Sequence, residues 1–178
     1  MAQTKRKQKF IDVEMPSISK TTQLRAYSIE ELEGKSIKYD LTRILRGKGM
    51  EIKLKVKIKK DEAIAEPTNI KLLPYYMKKI VRKGTNYVED SFLTNCKNAQ
   101  IKIKPFLVTR RKVSRAVRKA LRNKCKEELI DYVKELTSNE VFEDILKNKL
   151  QKIISLKLKK IYPLSVCEIR VLDVVKEK

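Results

Sequence analysis

The sequence contains no histidine and no tryptophan, and only four of its 178 residues are glycine. The missing histidine excludes a Ser–His or Cys–His nucleophile pair, a histidine proton shuttle and any histidine-ligated metal. No Gly-rich loop of the kind that cradles phosphates is present. A carboxylate or lysine mechanism stays open in principle, but no motif points to one. The chain is therefore predicted to be no enzyme and to need no cofactor.

Cysteine is also scarce. Cys96, Cys125 and Cys167 lie far apart, and no two of them have CxxC spacing. Such spacing suits neither a zinc site nor a disulfide framework. The three cysteines are predicted to be small buried hydrophobes, reduced and metal-free, in a reducing compartment.

Long apolar runs are missing as well, since none approaches the roughly 20 residues that span a bilayer. The N-terminus, MAQTKRKQKF, is basic but is not followed by the apolar stretch of a secretory signal. The sequence therefore predicts a cytoplasmic chain without a membrane partner.

What the sequence has in excess is positive charge. It contains 43 Lys and Arg against 22 Asp and Glu, a formal net charge of +21. Repulsion between so many positive charges disfavours a compact state unless a negatively charged partner offsets it. Nucleic acids are polyanions with regularly spaced charges, so they are the expected partners. The hydrophobic fraction of 42% is enough for a real core.

The charge is densest between Thr109 and Lys126, where nine of eighteen residues are basic and none is acidic. Four arginines recur at steps of four, three and four, which would stack them on one face of a helix: Arg111, Arg115, Arg118 and Arg122. A second face would be apolar: Val113, Ala116, Val117, Ala120 and Leu121. The segment is thus predicted to be an amphipathic helix, continuing to about Leu136, with a polyanion beside its cationic face.

The clearest strand signal is Glu51–Lys60, in which apolar residues alternate with four lysines. The lysine face has two explanations: solvated edge protection, or a cationic sheet surface near phosphates. Further strands are predicted at 21–28, 36–44, 86–93, 100–108 and 166–175. Helical segments are predicted at 28–32, at 70–83 beginning near Pro74 and ending at Gly84, and from 137 to 160, with Ser138 or Asn139 as a cap.

This order favours an α+β fold whose antiparallel sheet is closed as a β-barrel, with helices inserted and packed on it. Residues 1–9 are predicted to be a flexible basic arm. Residues 10–178 are predicted to be one domain, strand-rich over 10–108, helical over 109–160, with a final strand at 166–175.

Several stretches, in the same order along the chain, resemble one protein family. They are Phe10-Ile-Asp-Val13-Glu-Met-Pro16, Gly34-Lys35 with Tyr39-Asp40-Leu41, Tyr76-Met-Lys-Lys-Ile-Val-Arg-Lys-Gly84-Thr85, Thr109-Arg110-Arg111 with Ser114 and Ala116-Val117-Arg118, and Lys160-Ile-Tyr-Pro-Leu164 with Glu168-Ile-Arg170. The last is the most specific, since five residues and then three recur at fixed spacing. Together they resemble small-subunit ribosomal proteins of the S-three-A type, found in archaea and eukaryotes. Two departures are Phe10 in place of the family's tryptophan, and Leu73-Pro74 in place of Arg-Asp.

The resemblance implies a structural constituent of the small ribosomal subunit. It further implies a place on the platform, near the messenger exit and the 3′ region of small-subunit ribosomal RNA, beside neighbouring platform proteins and not in a homo-oligomer. A β-barrel core is implied as well.

The residues expected to bind RNA are the basic ones of the arm, of the helix near Pro74 and of the arginine-rich helix. They are Lys5, Arg6, Lys7, Lys9, Lys78, Lys79, Arg82, Lys83, Arg110, Arg111, Lys112, Ser114, Arg115, Arg118, Lys119 and Arg122. Two alternatives remain: a free-standing DNA-binding or chromatin protein, for which no defined reading motif is found, and an RNA-processing enzyme.

Overall fold

Strands and helices account for most of the described residues, which are 8–59 and 62–177 of a computed structural model. The strands are β1 Lys9–Met15, β2 Lys20–Ala26, β3 Ser36–Asp40, β4 Met50–Lys59, β5 Glu62–Leu72, β6 Tyr87–Glu89, β7 Phe92–Asn95, β8 Ala99–Thr109 and β9 Leu164–Glu177. The helices are α1 Pro74–Ile80, α2 Arg115–Lys134, α3 Ser138–Leu146 and α4 Lys149–Leu158. Elements of both kinds confirm the α+β prediction.

The predicted antiparallel barrel is wrong in two respects. Within the described residues the nine strands form one mixed sheet, because β1 pairs with β5 in parallel, Val13 opposite Ala63 and Glu14 opposite Ile64. The strand path runs from β2 to β6 and does not close on itself. Alternation along a strand shows which face is buried, but it shows neither the direction of the neighbouring strand nor closure.

The described residues divide into two compact units. The first takes in the residues up to Tyr39 together with Lys53–Thr68. Here β1 and β2 form a hairpin in register from Lys9 opposite Ala26 to Met15 opposite Lys20. Strand β1 was missed because Pro16 interrupts the pattern, whereas Pro16 begins the short 3-10 turn after the strand.

Strand β4 follows its sequence pattern closely. Leu54 and Val56 are fully buried, while Lys53 and Lys55 on the opposite face are exposed. Farther along the strand, Lys57 and Lys59 pair with Glu66 of β5, with N–O distances of 2.9 and 2.6 Å. The hydrogen bond from Lys59, with that from Lys57, lowers the pKa of Glu66.

The second unit comprises Asp40–Ile52 and the chain from Asn69 onward. Its long strands β8 and β9 are antiparallel, and β6 and β7 both pair with β8. Helices α2, α3 and α4 supply the buried residues Leu121, Cys125, Leu129, Val133, Val141, Phe142, Ile145, Leu150, Ile154 and Leu158. The buried residues of the sheet include Ile101, Ile103 and Leu172.

Helices α1 and α3 differ from the prediction at their first residues. Residues 70–72 belong to β5, so α1 starts only at Pro74 and ends at Ile80, before the left-handed Gly84 (φ 82°). Helix α3 is capped by Thr137, not by Ser138 or Asn139. The Thr137 hydroxyl accepts from the Glu140 N–H, and the Glu140 carboxylate accepts from the Thr137 N–H at 2.7 Å.

Candidate nucleic-acid interface

The most basic part of the second unit begins at the end of β8, where the chain is fixed by Asn86. The backbone N–H of Thr109 donates to the carbonyl oxygen of Asn86 at 2.9 Å. The buried Thr109 hydroxyl accepts from the Asn86 N–H at 3.0 Å and lies 2.7 Å from the Arg111 carbonyl oxygen, to which it can donate. The Asn86 side-chain oxygen accepts from the Val113 N–H at 2.8 Å. These bonds hold the backbone beneath the exposed Arg110, Arg111 and Lys112.

Helix α2 begins later than predicted. Ser114 is its N-cap, and the Ser114 hydroxyl accepts from the Val117 N–H at 3.4 Å. Arg111 therefore lies in the loop before the helix and not on its face. Arg115, Arg118 and Arg122 remain at helical steps of three and four, so they share one side.

The predicted apolar face of this helix is also partly wrong. Ala116 and Ala120 are exposed, and the buried stripe instead runs from Leu121 through Cys125 and Leu129. Exposing an alanine side chain costs little free energy, so the larger apolar side chains determine which side of the helix packs against the core. The first two turns of α2 thus present basic and small side chains to solvent.

We define the basic segment as Arg110, Arg111, Lys112, Arg115, Arg118, Lys119 and Arg122. All of these side chains are exposed except Arg118, which is half-buried. The Arg118 Nε is buried without a hydrogen-bond partner among the described residues. An unpaired buried donor is energetically unfavourable, which sets Arg118 apart from the exposed members of the segment.

The acids that follow on α2 do not neutralise the basic segment. Glu127 and Glu128 lie 3.4 and 3.3 Å from Lys124, and Glu128 also pairs with Lys157. Hydrogen bonding to Lys157, with that to Lys124, lowers the pKa of Glu128. Within residues 8–59 and 62–177 no acidic side chain forms an ion pair with a member of the basic segment. No ion pair among those residues therefore offsets its charge.

A second predicted group is brought near the first by the chain itself. Lys78 and Lys79 are exposed on α1, and Arg82 and Lys83 are exposed just after it. Arg82 and Lys83 precede Asn86 by only four and three residues, a span of at most about 14 Å. Asn86 in turn bonds the loop of the basic segment.

The remaining predicted residues lie elsewhere. Lys9 is the first residue of β1 in the first unit and is exposed. Lys5, Arg6 and Lys7 lie outside the described residues. Asn86 and Thr109 were not predicted as part of the site, because an ordinary polar residue at a strand end gives no signal that it fixes a distant loop.

Neither metal chemistry nor a membrane helix is apparent in the part of the chain that the structure describes. It contains no group of three or more cysteine or acidic side chains placed to hold a metal ion, and no helix that is long and apolar enough to cross a membrane. The three cysteines are free thiols. Burial raises the pKa of Cys125 to about 12 and also raises the pKa of Cys167.

A sequence model of the ribosomal S3Ae family matches residues 2–178. Three similar proteins carry the name small ribosomal subunit protein eS1. The one from Nanoarchaeum equitans is 26% identical over 143 residues, which cover 78% of this chain and 72% of that protein. The one from Pyrobaculum aerophilum is 30% identical over 142 residues, covering 78% and 63%. The one from Methanothermobacter thermautotrophicus is 29% identical over 102 residues, covering 55% and 52%. For the last two, the match spans less than two thirds of the relative.

Proposed function

The chain belongs to the ribosomal S3Ae family, and from that membership we propose that it is a structural constituent of the small ribosomal subunit that binds ribosomal RNA. The similar proteins named small ribosomal subunit protein eS1 support the choice of subunit. A family of ribosomal proteins is not a family of enzymes, so membership confirms the prediction that the chain has no catalytic role. It also weighs against a free-standing DNA-binding or chromatin protein.

The single observation that carries RNA binding is the uncompensated charge of the basic segment. Seven cationic side chains occupy thirteen consecutive positions, and no described acid pairs with them. Four of them are exposed arginines: Arg110, Arg111, Arg115 and Arg122. The loop is held by its hydrogen bond to Asn86, and the first turn of the helix is held by the Ser114 cap. Arginine suits bidentate phosphate contact, and a fixed backbone lowers the entropy lost on binding.

The mode of binding follows from the chemistry of these residues. Cations on a helix and its preceding loop contact phosphates and recognise the shape of RNA more than its base sequence. Lys78, Lys79, Arg82 and Lys83 are further exposed cations for such contacts. A position on the platform, near the messenger exit and the 3′ region of small-subunit RNA and beside neighbouring platform proteins, is the finer proposal, and it is supported by the family resemblance.

The test is charge reversal within the basic segment. The variant Arg115→Glu/Arg122→Glu changes two exposed side chains, so the fold should be retained. Each lost phosphate contact removes about 0.7 to 0.9 from the slope of log affinity against log salt concentration. Binding to small-subunit RNA should therefore be weaker, with a slope lower by about 1.4 to 1.8 units.

A matched control is Lys134→Glu/Lys147→Glu, which changes net charge equally at exposed positions paired with Asp131 and Glu143. It should alter affinity and slope much less than the arginine variant. Equal effects would show only a response to net charge. Unchanged affinity and slope in the arginine variant would remove the basic segment as the RNA surface.

A further inference from the structure

An exposed aromatic ring lies on strand β6 of the second unit. Tyr87 is 56% exposed, yet its ring is stacked on that of Phe106 in β8, which is buried. The two ring centres are 5.9 Å apart, and the ring planes differ by 23°. Single exposed aromatic side chains are common, but this ring is supported on one face and open to solvent elsewhere.

The register of the sheet shows which side chains share a face with Tyr87. Glu89 of β6 lies opposite Phe106, and Phe106 lies opposite Glu168 of β9. Directly paired residues of antiparallel strands project from the same face, and so do residues two apart on one strand. Tyr87, Glu89, Phe106 and Glu168 are therefore on one side of the sheet.

Helix α1 lies near Glu168 on this side. The strand order requires the chain between β5 and β6 to cross β9 and β8. Glu168 pairs with Lys48, and a Cβ at the next residue, Gly49, would lie 3.0 Å from the Cβ of Tyr76 in α1. Burial, together with the charge of Glu168, also raises the pKa of Tyr76. The connection that contains α1 therefore crosses the face on which Tyr87 lies.

The charges on this face are unequal. Both of its carboxylates have internal partners, Glu168 with Lys48 and Glu89 with Arg170 at 2.7 Å. Four exposed cations of the connection, by contrast, form no ion pair within residues 8–59 and 62–177: Lys78, Lys79, Arg82 and Lys83. The charge left without an internal partner is positive.

Two of these cations are held close to Tyr87 by the chain. The Thr85 N–H and hydroxyl both donate to the Arg82 carbonyl oxygen, at 3.3 and 2.7 Å, and so fix the turn after α1. Tyr87 follows Lys83 by four residues, a span of at most about 14 Å. A nucleic-acid strand that lies on the Tyr87 ring can therefore reach both side chains.

A supported ring beside unpaired cations suits an unpaired nucleotide strand. A base offers a flat face to the open side of the ring, and its backbone supplies phosphates for the cations. The base must be unpaired, since the faces of a paired base are already stacked within the helix. An uncharged apolar protein segment would cover the ring but would leave the cations without partners.

We propose that Tyr87, supported by Phe106, stacks on an unpaired RNA base, and that Arg82 and Lys83 bind the phosphates beside it. This rests on the proposed function, in that the chain binds RNA. It deepens that function by assigning a contact with a different physical basis. Phosphate contacts depend on salt, whereas stacking releases no counterions and depends little on it.

That difference provides the experiment. Affinity is measured across a salt series for small-subunit RNA and for a single-stranded oligoadenylate of about 12 nucleotides, a length within the range that stacking proteins occupy. Tyr87→Leu, which keeps apolar cover over Phe106 but has no ring, should weaken oligoadenylate binding by about 5- to 150-fold with an unchanged salt slope. Tyr87→Phe keeps the ring and should bind like the original chain. Neither variant should change binding to an RNA duplex of about the same length.

The phosphate contacts are tested by Arg82→Glu/Lys83→Glu. At about 0.7 per contact on a single strand, this variant should lower the salt slope for the oligoadenylate by about 1.4 units. The matched control is again Lys134→Glu/Lys147→Glu, whose lysines are paired with Asp131 and Glu143. It should change the slope much less.

A direct readout of stacking is available because the chain has no tryptophan. The tryptophan of Tyr87→Trp should lose much of its fluorescence when the oligoadenylate binds, as a stacked base quenches it. The matched control is Leu93→Trp, at a β7 position that is 54% exposed and lies opposite Lys102. Its fluorescence should change little.

The outcomes separate this site from the proposed function. If the chain binds neither small-subunit RNA nor the oligoadenylate, both fail. If it binds small-subunit RNA but not the oligoadenylate, or if Tyr87→Leu binds the oligoadenylate like the original chain, only the stacking site is overturned. Weak binding by Tyr87→Phe, or equal quenching of Leu93→Trp, overturns it as well. Thermal melting checks the fold, and if Tyr87→Leu is unfolded, the two tryptophan variants decide.

Discussion

Lys48 is the most deeply buried cation among the described residues of the second unit, and its removal should destabilise the fold. Its side chain is 8% exposed, and its Nζ lies 2.6 Å from the Glu168 carboxylate, which is 13% exposed. Nζ also donates to the side-chain oxygen of Asn148 at 2.8 Å. The perturbation is Lys48→Met, which keeps most of the side-chain volume and leaves Glu168 buried without a cation.

The magnitude follows from the distance and the burial. At an effective dielectric constant of about 20, two unit charges 2.6 Å apart attract by about 6 kcal/mol. Desolvation of both ions offsets much of this, so the pair as a whole adds little. Removal of one partner leaves the desolvation of the other uncompensated and typically costs about 3–5 kcal/mol. Replacement of both, as in Lys48→Met/Glu168→Leu, should be nearly neutral by the same reasoning.

The assay is urea unfolding followed by far-UV circular dichroism. The free energy of unfolding of a small protein falls by about 1–3 kcal/mol per molar urea, so Lys48→Met should lower the unfolding midpoint by about 1 M or more. The control is Lys147→Met, whose ion pair with Glu143 has nearly the same length, 2.7 Å, but whose side chain is 68% exposed. Its midpoint should hardly move. A small loss of stability in Lys48→Met, or an equal loss in the control, would refute the claim that burial determines the cost of breaking this ion pair.

Two other groups give predictions from their pKa values. Burial, together with the charge of Asp90, raises the pKa of Cys125 to about 12. Iodoacetamide at pH 8 should therefore leave Cys125 unmodified in the folded protein and alkylate it in urea, and mass spectrometry measures the difference. Burial and the hydrogen bond to Asp144 raise the pKa of Tyr132 to about 12. Because this exceeds the unfolded value near 10, the folded state holds the proton more tightly, and the associated stability is present below pH 10 and lost as the pH rises through 12. Urea midpoints should therefore fall less over that interval in Tyr132→Phe than in the original chain; an equal fall would contradict the assignment.

The strands and helices with strong periodicity could be predicted, and those without it could not. Strand β4 and helix α2 carry clear periods of two and of 3.6, and both form close to where they were expected. Strand β5 was missed, because Glu62–Leu72 contains Pro67 and mixes small and polar residues on its two faces. It pairs with β4, which precedes it in the chain, and also with β1 and β9, which are distant in sequence.

The site was predictable in composition but not in geometry. The density of arginine between 110 and 122 is a local property, so the sequence reveals it. The start of α2 at Arg115 has a local determinant, the Ser114 cap, and a non-local one, the hydrogen bonds between Asn86 and the loop from Thr109 to Val113. Arg111 fits the helical spacing well, yet the helix begins only after it, at Arg115. A tertiary contact here overrides a regular pattern.

The motif that resembles the family most specifically, from Lys160 to Arg170, is architectural in the structure. Glu168 and Arg170 are two residues apart on β9 and so lie on one side of it. Each forms an ion pair, Glu168 with Lys48, and Arg170 with Glu89 of β6 at 2.7 Å. Ile169 between them is buried on the other side. Because both charges have internal partners, these two residues of the motif stabilise the fold of the second unit. A variant of Glu168 should therefore lose stability, whereas a variant of Arg115 should lose RNA affinity.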